Sequence, residues 1–247
     1  GILNVTPDSF ADGGRHNELN AAVARGLEMI TEGVDIIDIG GESTRPGADR
    51  VSEAEEIDRT IPVISELAKH GARISIDTMR SNTAEAAIKA GASIINDVSG
   101  GLADPDMLET AARLQVPYIA MHWRGQSKDM NSRAFYNDVV NDVISELQER
   151  ITAALDAGIE ANNLIIDPGL GFAKDAEHNW KIIDSIAKFV EIGYPVLIGA
   201  SRKRFLGGDS PDEREQATID LTNRLATSGV WAVRVHSVKP HKEVLTR

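Results

Sequence analysis

Short runs of apolar and β-branched residues alternate with stretches of helical period along the whole 247-residue chain. The runs are Ile2–Val5, Val34–Ile39, Arg73–Asp77, Ser93–Val98, Val116–His122, Leu164–Asp167, Pro195–Ala200 and Val230–His236. Most are apolar at nearly consecutive positions, the pattern of parallel strands covered on both faces. Between them, apolar residues recur at three and four: Leu19, Val23, Leu27 and Ile30, then Ile57, Ile61, Ile64 and Leu67, then Val140, Ile144, Leu147, Ile151 and Leu155. Ser52 followed by Glu55 predicts a capping box. Asp104-Pro105 predicts an N-cap and a first helical turn. Gly33, Gly71, Gly91, Gly158, Gly193 and Gly229 stand just before strands and predict helix ends.

Strict βα alternation implies a parallel sheet. Eight units in a chain of this length suit an α/β fold of the (β/α)8 TIM-barrel type, which typically takes about 250 residues. A doubly wound open sheet is the alternative. There is no internal repeat, low-complexity tract or linker, so a single domain over residues 1–247 is expected. The chain opens at Gly1-Ile2-Leu3, already inside a strand, and ends soon after Val244-Leu245. Short pieces missing at both ends are therefore expected.

Composition narrows the partners. Hydrophobic residues make up 42% and charged residues 26%, ordinary for a globular domain. The net charge of −12 repels nucleic acid and anionic membranes, so neither is an expected partner. A local basic cluster still admits an anionic small molecule. The absence of cysteine excludes disulfides, thiolate metal sites and cysteine nucleophiles. No apolar run reaches the roughly 18–20 residues of a membrane span, and no signal-peptide pattern is visible. A cytoplasmic location is expected.

In a βα barrel the chemistry sits at the C-terminal ends of the strands. In order, those ends carry Asn4, Asp38, Asp77-Thr78, Asn96-Asp97, Met121-His122, Asp167-Pro-Gly-Leu-Gly-Phe172, Gly199-Ala-Ser-Arg-Lys-Arg204, and Arg234 with His236. Taken singly, a strand-end Asp is usually a helix cap, a lone His a satisfied structural group, and a Gly-rich loop a turn. Eight polar strand ends brought to one rim make a polar pocket. Asp77, Asn96 and Asp167 suit the hydrogen-bonding edge of a planar heterocycle, because a carboxylate pairs bidentately with adjacent N–H groups. Arg45, Lys203, Arg234 and His236 suit phosphate or pyrophosphate. Ser201-Arg202-Lys203 is expected to begin a helix, whose N-terminus would add to the anion site. No HExxH, Walker loop, dinucleotide fingerprint or Ser-His-Asp pattern is present.

These residues carry a resemblance to a known family. Gly1-Ile-Leu-Asn-Val-Thr-Pro-Asp-Ser-Phe-Ala-Asp-Gly-Gly14 and Ile36-Ile-Asp-Ile-Gly-Gly-Glu-Ser-Thr-Arg-Pro-Gly-Ala48 resemble the first two signatures of dihydropteroate synthases. Ser75-Ile-Asp-Thr78, Ile95-Asn-Asp-Val98, Ile166-Asp-Pro-Gly-Leu-Gly-Phe172, Gly199-Ala-Ser-Arg-Lys203 and Arg234-Val-His236 match in order. Met121-His-Trp-Arg-Gly125 and Phe172–Trp180 look nearest to actinobacterial members.

The resemblance implies a transferase of folate biosynthesis. It condenses 6-hydroxymethyl-7,8-dihydropterin pyrophosphate with para-aminobenzoate, giving 7,8-dihydropteroate and pyrophosphate, and is the target of sulfonamides. By the same resemblance, Asp77, Asn96, Asp167 and Lys203 hold the pterin, with Met121 and Phe172 as apolar walls. Asn4 binds a magnesium ion (Mg2+), and Arg234, Val235 and His236 form the pyrophosphate end. Phe10, Pro46 and Ser201 shape the para-aminobenzoate pocket. Thr44 and Arg45 lie on the second of two loops that close over the site. Asp77, Lys203 and Arg234 are the expected catalytic groups, and a homodimer is the expected assembly. Where the family usually has Asp after Arg-Val-His, this chain has Ser237. A pterin-dependent methyltransferase domain and a non-catalytic pterin-binding paralogue remain as alternatives.

Overall fold

The computed structural model describes residues 1–6, 14–42, 50–126 and 130–246. Eight parallel strands alternate with helices: β1 (Ile2–Asn4), α1 (Gly14–Thr31), β2 (Ile37–Gly40), α2 (Glu53–Lys69), β3 (Ile74–Asp77), α3 (Ser81–Ala90), β4 (Ile94–Asp97), α4 (Met107–Leu114), β5 (Tyr118–Met121), α5 (Val139–Asp156) and β6 (Leu164–Asp167). A broken crossover, α6 (Ala176–Asp184) and α7 (Ile186–Val190), leads to β7 (Leu197–Ile198), then α8 (Glu215–Leu225), β8 (Ala232–Val233) and α9 (Val238–Leu245).

Strands β1 to β6 pair in sequence order and β7 pairs with β8. Two further hydrogen bonds close the circle. The Ile166 N–H donates to Pro195 O at 2.9 Å, and the Ile2 N–H donates to Val235 O at 2.8 Å. The fold is therefore a closed (β/α)8 barrel, not an open doubly wound sheet.

The near-continuous apolar runs have a two-sided explanation. Leu3, Ile37, Ile39, Ile74, Ile76, Ile95, Tyr118, Leu164, Ile166 and Ile198 pack outward with helix residues such as Val63, Leu67, Leu147 and Phe189 in the main core. The alternate residues Ile36, Ile94, Ile119, Ile165, Leu197 and Ala232 meet inside the barrel as a second cluster. Each fully buried Ile contributes about 1.5–3 kcal/mol relative to exposure.

All six glycines expected to end helices adopt positive φ, the left-handed conformation that stops a helix. Three local expectations are corrected. The Ser52 hydroxyl does accept from the Glu55 N–H, but the Glu55 carboxylate turns to Arg59 at 2.5 Å, so the box is half made. Asp104 does not cap the helix after β4, which begins at Met107. Its carboxylate accepts from the Ser81 N–H at 2.7 Å and from the Asp106 N–H at 3.0 Å instead. No helix begins at Ser201–Lys203: Arg202 has φ +58, a 3₁₀ turn covers Arg204–Leu206, and α8 starts only at Glu215. A left-handed residue cannot open a right-handed helix. Among the described residues, no helix is long and apolar enough to cross a membrane.

Candidate active site

The interior row of each strand changes character from bottom to top. Below lie the apolar residues of the inner cluster. One interior position above them lie Asp38 over Ile36, Asn96 over Ile94, Met121 over Ile119, Asp167 over Ile165, and Arg234 over Ala232, while Asp77 stands over Ser75. The period of two fixes which residues share the interior, so the barrel floor is greasy and its mouth polar.

Arg234 organises one half of the mouth. It donates from Nε to Asp38 Oδ2 at 2.5 Å and from Nη2 to Asp77 Oδ2 at 2.5 Å. Asn96 Nδ2 donates to the same Asp38 oxygen at 3.1 Å. Asp38, Asp77 and Asn96 are all buried. Burial pushes the Asp77 carboxyl up to about 7; Arg234 opposes this and the Asp38 charge adds to it. Burial alone would depress the Arg234 guanidinium, but Asp38 and Asp77 hold it above its ordinary range. The neighbouring Asp97 faces outward. It accepts from Ser99, Gly101 and Tyr118 Oη, so it shapes the turn after β4.

The other half is built around Asp167. Its Oδ1 accepts from the Gly169 N–H at 2.7 Å, and burial raises its pKa against the opposing pull of Lys203. The β6 loop then turns through Gly169 at φ +67, where a Cβ would stand 2.4 Å from the His122 carbonyl. At Gly171 a Cβ would meet the Lys203 side chain at 2.8 Å. Lys203 therefore lies inward along this loop. Its ammonium donates to Leu170 O and sits 4.6 Å from the Phe172 ring centroid. Burial lowers its pKa to about 8, with Asp167 opposing. Phe172 and Met121 belong to one apolar cluster with Met79 and Val98, a wall beside the acidic groups.

Arg202 points the other way. It pairs with Glu215 at 2.7 Å and donates to Ser237 Oγ at 2.9 Å. Ser237, the departure from the family pattern, thus serves the back of the rim. Ser201 Oγ lies 2.9 Å from His236 Nδ1, and the His236 N–H donates to Ser201 Oγ at 3.2 Å. Val235, between Arg234 and His236 in the chain, is buried. Its side chain lines a small cleft with Ala200, Thr218 and Leu221 of the helix layer, and its carbonyl closes the barrel.

Asn4 ends β1, partly buried and paired in register with Gly40. Among the described residues, no group of three or more His, Asp or Glu is placed to hold a metal ion. The Asn4 amide oxygen fits a hard cation that takes one protein ligand here and completes its shell from phosphate and water. Phe10, Thr44, Arg45 and Pro46, and the two loops that carry them, lie outside the described residues.

Three residues beyond the expected set belong to this assembly. Asp38 is one. The others are Lys174 and His122, both buried. Lys174 Nζ lies 2.9 Å from His122 Nδ1 and donates to the carbonyls of Gly169 and Phe172 at 3.1 and 3.0 Å. His122 Nε2 lies 2.9 Å from Glu146 Oε2. Burial takes Lys174 down to about 7 and His122 down to about 4. The ammonium thus ties together the loop that presents Asp167 and Phe172. The available signal was the position of Asp38 and His122 at strand ends; nothing in the spacing marked Lys174.

Comparison with known proteins gives this geometry a family. The family described as "Pterin binding enzyme" matches residues 1–236. The dihydropteroate synthase of Mycobacterium leprae is 46% identical over 99% of this chain and 90% of its own length. The structure of Xanthomonas albilineans dihydropteroate synthase with 4-aminobenzoic acid superposes with a TM-score of 0.93. It is 43% identical and covers 100% of this chain and 89% of that one. The same enzyme in complex with 7,8-dihydropteroate gives a TM-score of 0.89 at 40% identity, over 100% of this chain and 90% of that one. The chain belongs to the pterin-binding enzyme family and, within it, to the dihydropteroate synthases.

Proposed function

We propose that the rim described above joins 6-hydroxymethyl-7,8-dihydropterin pyrophosphate to para-aminobenzoate, giving 7,8-dihydropteroate and pyrophosphate. The observation that supports this most is the division of one barrel mouth. Asp77, Asn96 and Asp167 supply acceptors beside an apolar wall of Met121 and Phe172, while Lys203, Arg234 and the Ser201–His236 pair lie alongside. Relatives bound to 4-aminobenzoic acid and to 7,8-dihydropteroate supply the substrate and product of that reading.

In this account the heterocycle lies against Phe172 and Met121 with its N–H edge on Asp167 and Asn96. The C–O bond to the pyrophosphate breaks with both electrons leaving on oxygen. Arg234 and His236 hold that leaving group, and Ser201, 2.9 Å from His236 Nδ1, borders the para-aminobenzoate pocket. The ionised Asp77 carboxylate stabilises the positive charge left on the methylene and ring, an electrostatic role that fixed groups in a dry site perform well. The arylamine lone pair then forms the C–N bond, and the resulting ammonium gives its proton to pyrophosphate or water. The amine is neutral near pH 7, so no general base is needed beforehand. Lys203 bonds the ring from the β7 side.

Asn4 is the residue that would hold magnesium. When bound, the ion would supply charge neutralisation of the departing pyrophosphate. A homodimer in the cytoplasm is part of the same reading. A methyltransferase domain would have no use for the Ser201–His236 pair beside Arg234. The test is product analysis with purified chain, both substrates and magnesium. Formation of 7,8-dihydropteroate that stops on chelation with EDTA is expected; its absence with all components present would refute the activity.

A further inference from the structure

We propose that Asp38 is a positioning residue of this site, fixing which end of the Asn96 amide meets the substrate and holding the Arg234 fork against Asp77. The inference rests on the pterin-binding reading above and adds a residue to it.

Asp38 occupies the interior row of β2 and reaches to β4 on one side and β8 on the other. Among the described residues, all of its hydrogen bonds run through one oxygen, Oδ2, which takes Asn96 Nδ2 at 3.1 Å and Arg234 Nε at 2.5 Å. Its other oxygen, Oδ1, is buried and meets no donor among the described residues. An Asn amide can turn over, because its two ends are nearly equal in size. Beside an ionised carboxylate only one orientation is favourable: the NH2 faces Asp38, and Oδ1 is left as the acceptor. Asn96 then presents the same chemistry as Asp77 and Asp167, an acceptor for the donors of a heterocycle. Without Asp38, the amide is free to offer a donor where the substrate also offers one.

The Arg234 contact follows a similar logic. A guanidinium held at one point can swing about that bond. Held at Nε by Asp38 and at Nη2 by Asp77, its plane is set. Asp38 therefore acts through two site residues, and a substitution there should leave a signature that simple loss of packing would not.

Two measurements separate these cases. The first is calorimetry with pteroic acid on wild type, Asp38→Leu, Asn96→Ala and the double variant. Asp38→Leu, folded by its melting curve, should weaken binding roughly 10- to 100-fold, the range of a charged hydrogen bond. In the Asn96→Ala background its effect should shrink, because residues that act through one another are non-additive. Full additivity, or unchanged binding by folded Asp38→Leu, would overturn the proposal. If wild type itself fails to bind pteroic acid, the pterin reading fails instead.

The second measurement uses Asp38→Asn, which keeps an acceptor and removes the charge. The charged groups that act on Asp77 are Arg234, Asp38 and Lys203 within the mouth and Glu56 and Asp97 outside it. Removing the Asp38 charge lowers the Asp77 pKa and leaves Arg234 to Asp77 alone. The acid limb of kcat/KM should then move to lower pH. An acid limb that stays where wild type has it contradicts the proposal, even if Asp38→Leu does not fold.

Discussion

Arg234 Nη2 donates to Asp77 Oδ2 at 2.5 Å, tying the last strand of the barrel to the third across its mouth. The pair sets the charge state on which the proposed chemistry depends. Burial brings Asp77 up to about 7 even with this partner in place. Arg234→Met removes the partner, so the Asp77 pKa rises further. Its protonated form then accumulates at a higher pH as the solution is acidified. The acid limb of kcat/KM should shift upward from about pH 7, and the pH profile of the two proteins measures it. An unmoved limb would show that Asp77 is not the group whose ionisation activity requires.

Asp167 has one oxygen committed to the Gly169 N–H at 2.7 Å. Asp167→Asn can keep that bond through its carbonyl and then turns an NH2 toward the ligand. Donor would face donor. Affinity for pteroic acid, by calorimetry, should fall about 10- to 100-fold, as for loss of a charged hydrogen bond. A folded variant with wild-type affinity would remove Asp167 from the pterin site.

Lys203 and Arg202 are adjacent cations with opposite directions. Lys203 lies over Phe172, and Arg202 pairs with Glu215 and Ser237 behind the rim. Lys203→Met keeps most of the stem and removes the ammonium, so kcat/KM should fall by roughly 10- to 200-fold or more. Lys203→Arg should restore activity only in part, because the planar fork does not fit a point-charge site. Arg202→Met should cost far less in steady-state kinetics. Equal losses at the two positions would contradict the inward placement.

Lys174 makes a stability prediction. Its folded pKa of about 7 lies below the unfolded value of 10.5. Between those two values the unfolded chain binds the extra proton, so this residue's contribution to stability rises with pH. Lys174→Met lacks that contribution. Its Tm relative to wild type should become steadily less favourable from pH 7 to pH 10. A constant difference in melting temperature over that range would mean that Lys174 keeps its proton on folding.

The eight strands were legible because their two faces are both apolar, and the helix ends because glycine accepts positive φ. Strand limits were less so. The run Val230–His236 has the composition of a strand, yet the β7–β8 ladder covers only Ala232–Val233, and beyond it single bonds from the Arg234 N–H to Ile198 O and from the Ile2 N–H to Val235 O carry the pairing on. The Ser201–Lys203 helix failed on a left-handed residue that is not glycine, which sequence spacing does not announce. The rim residues Asp77, Asn96, Asp167 and Arg234 could be read from polar side chains interrupting apolar runs. Lys174 could not, because its partners, the Gly169 and Phe172 carbonyls and His122, are brought together only by the fold of the β6 loop.

In the proposed reaction this mouth breaks a C–O bond to pyrophosphate and gives the carbon to an arylamine. Pyrophosphate release from the pterin substrate, measured with and without para-aminobenzoate in the presence of magnesium, tests it most directly. Release that para-aminobenzoate sustains, with one 7,8-dihydropteroate formed for each pyrophosphate, is the predicted result. No release in either condition by folded protein, or release with no dihydropteroate, would contradict it.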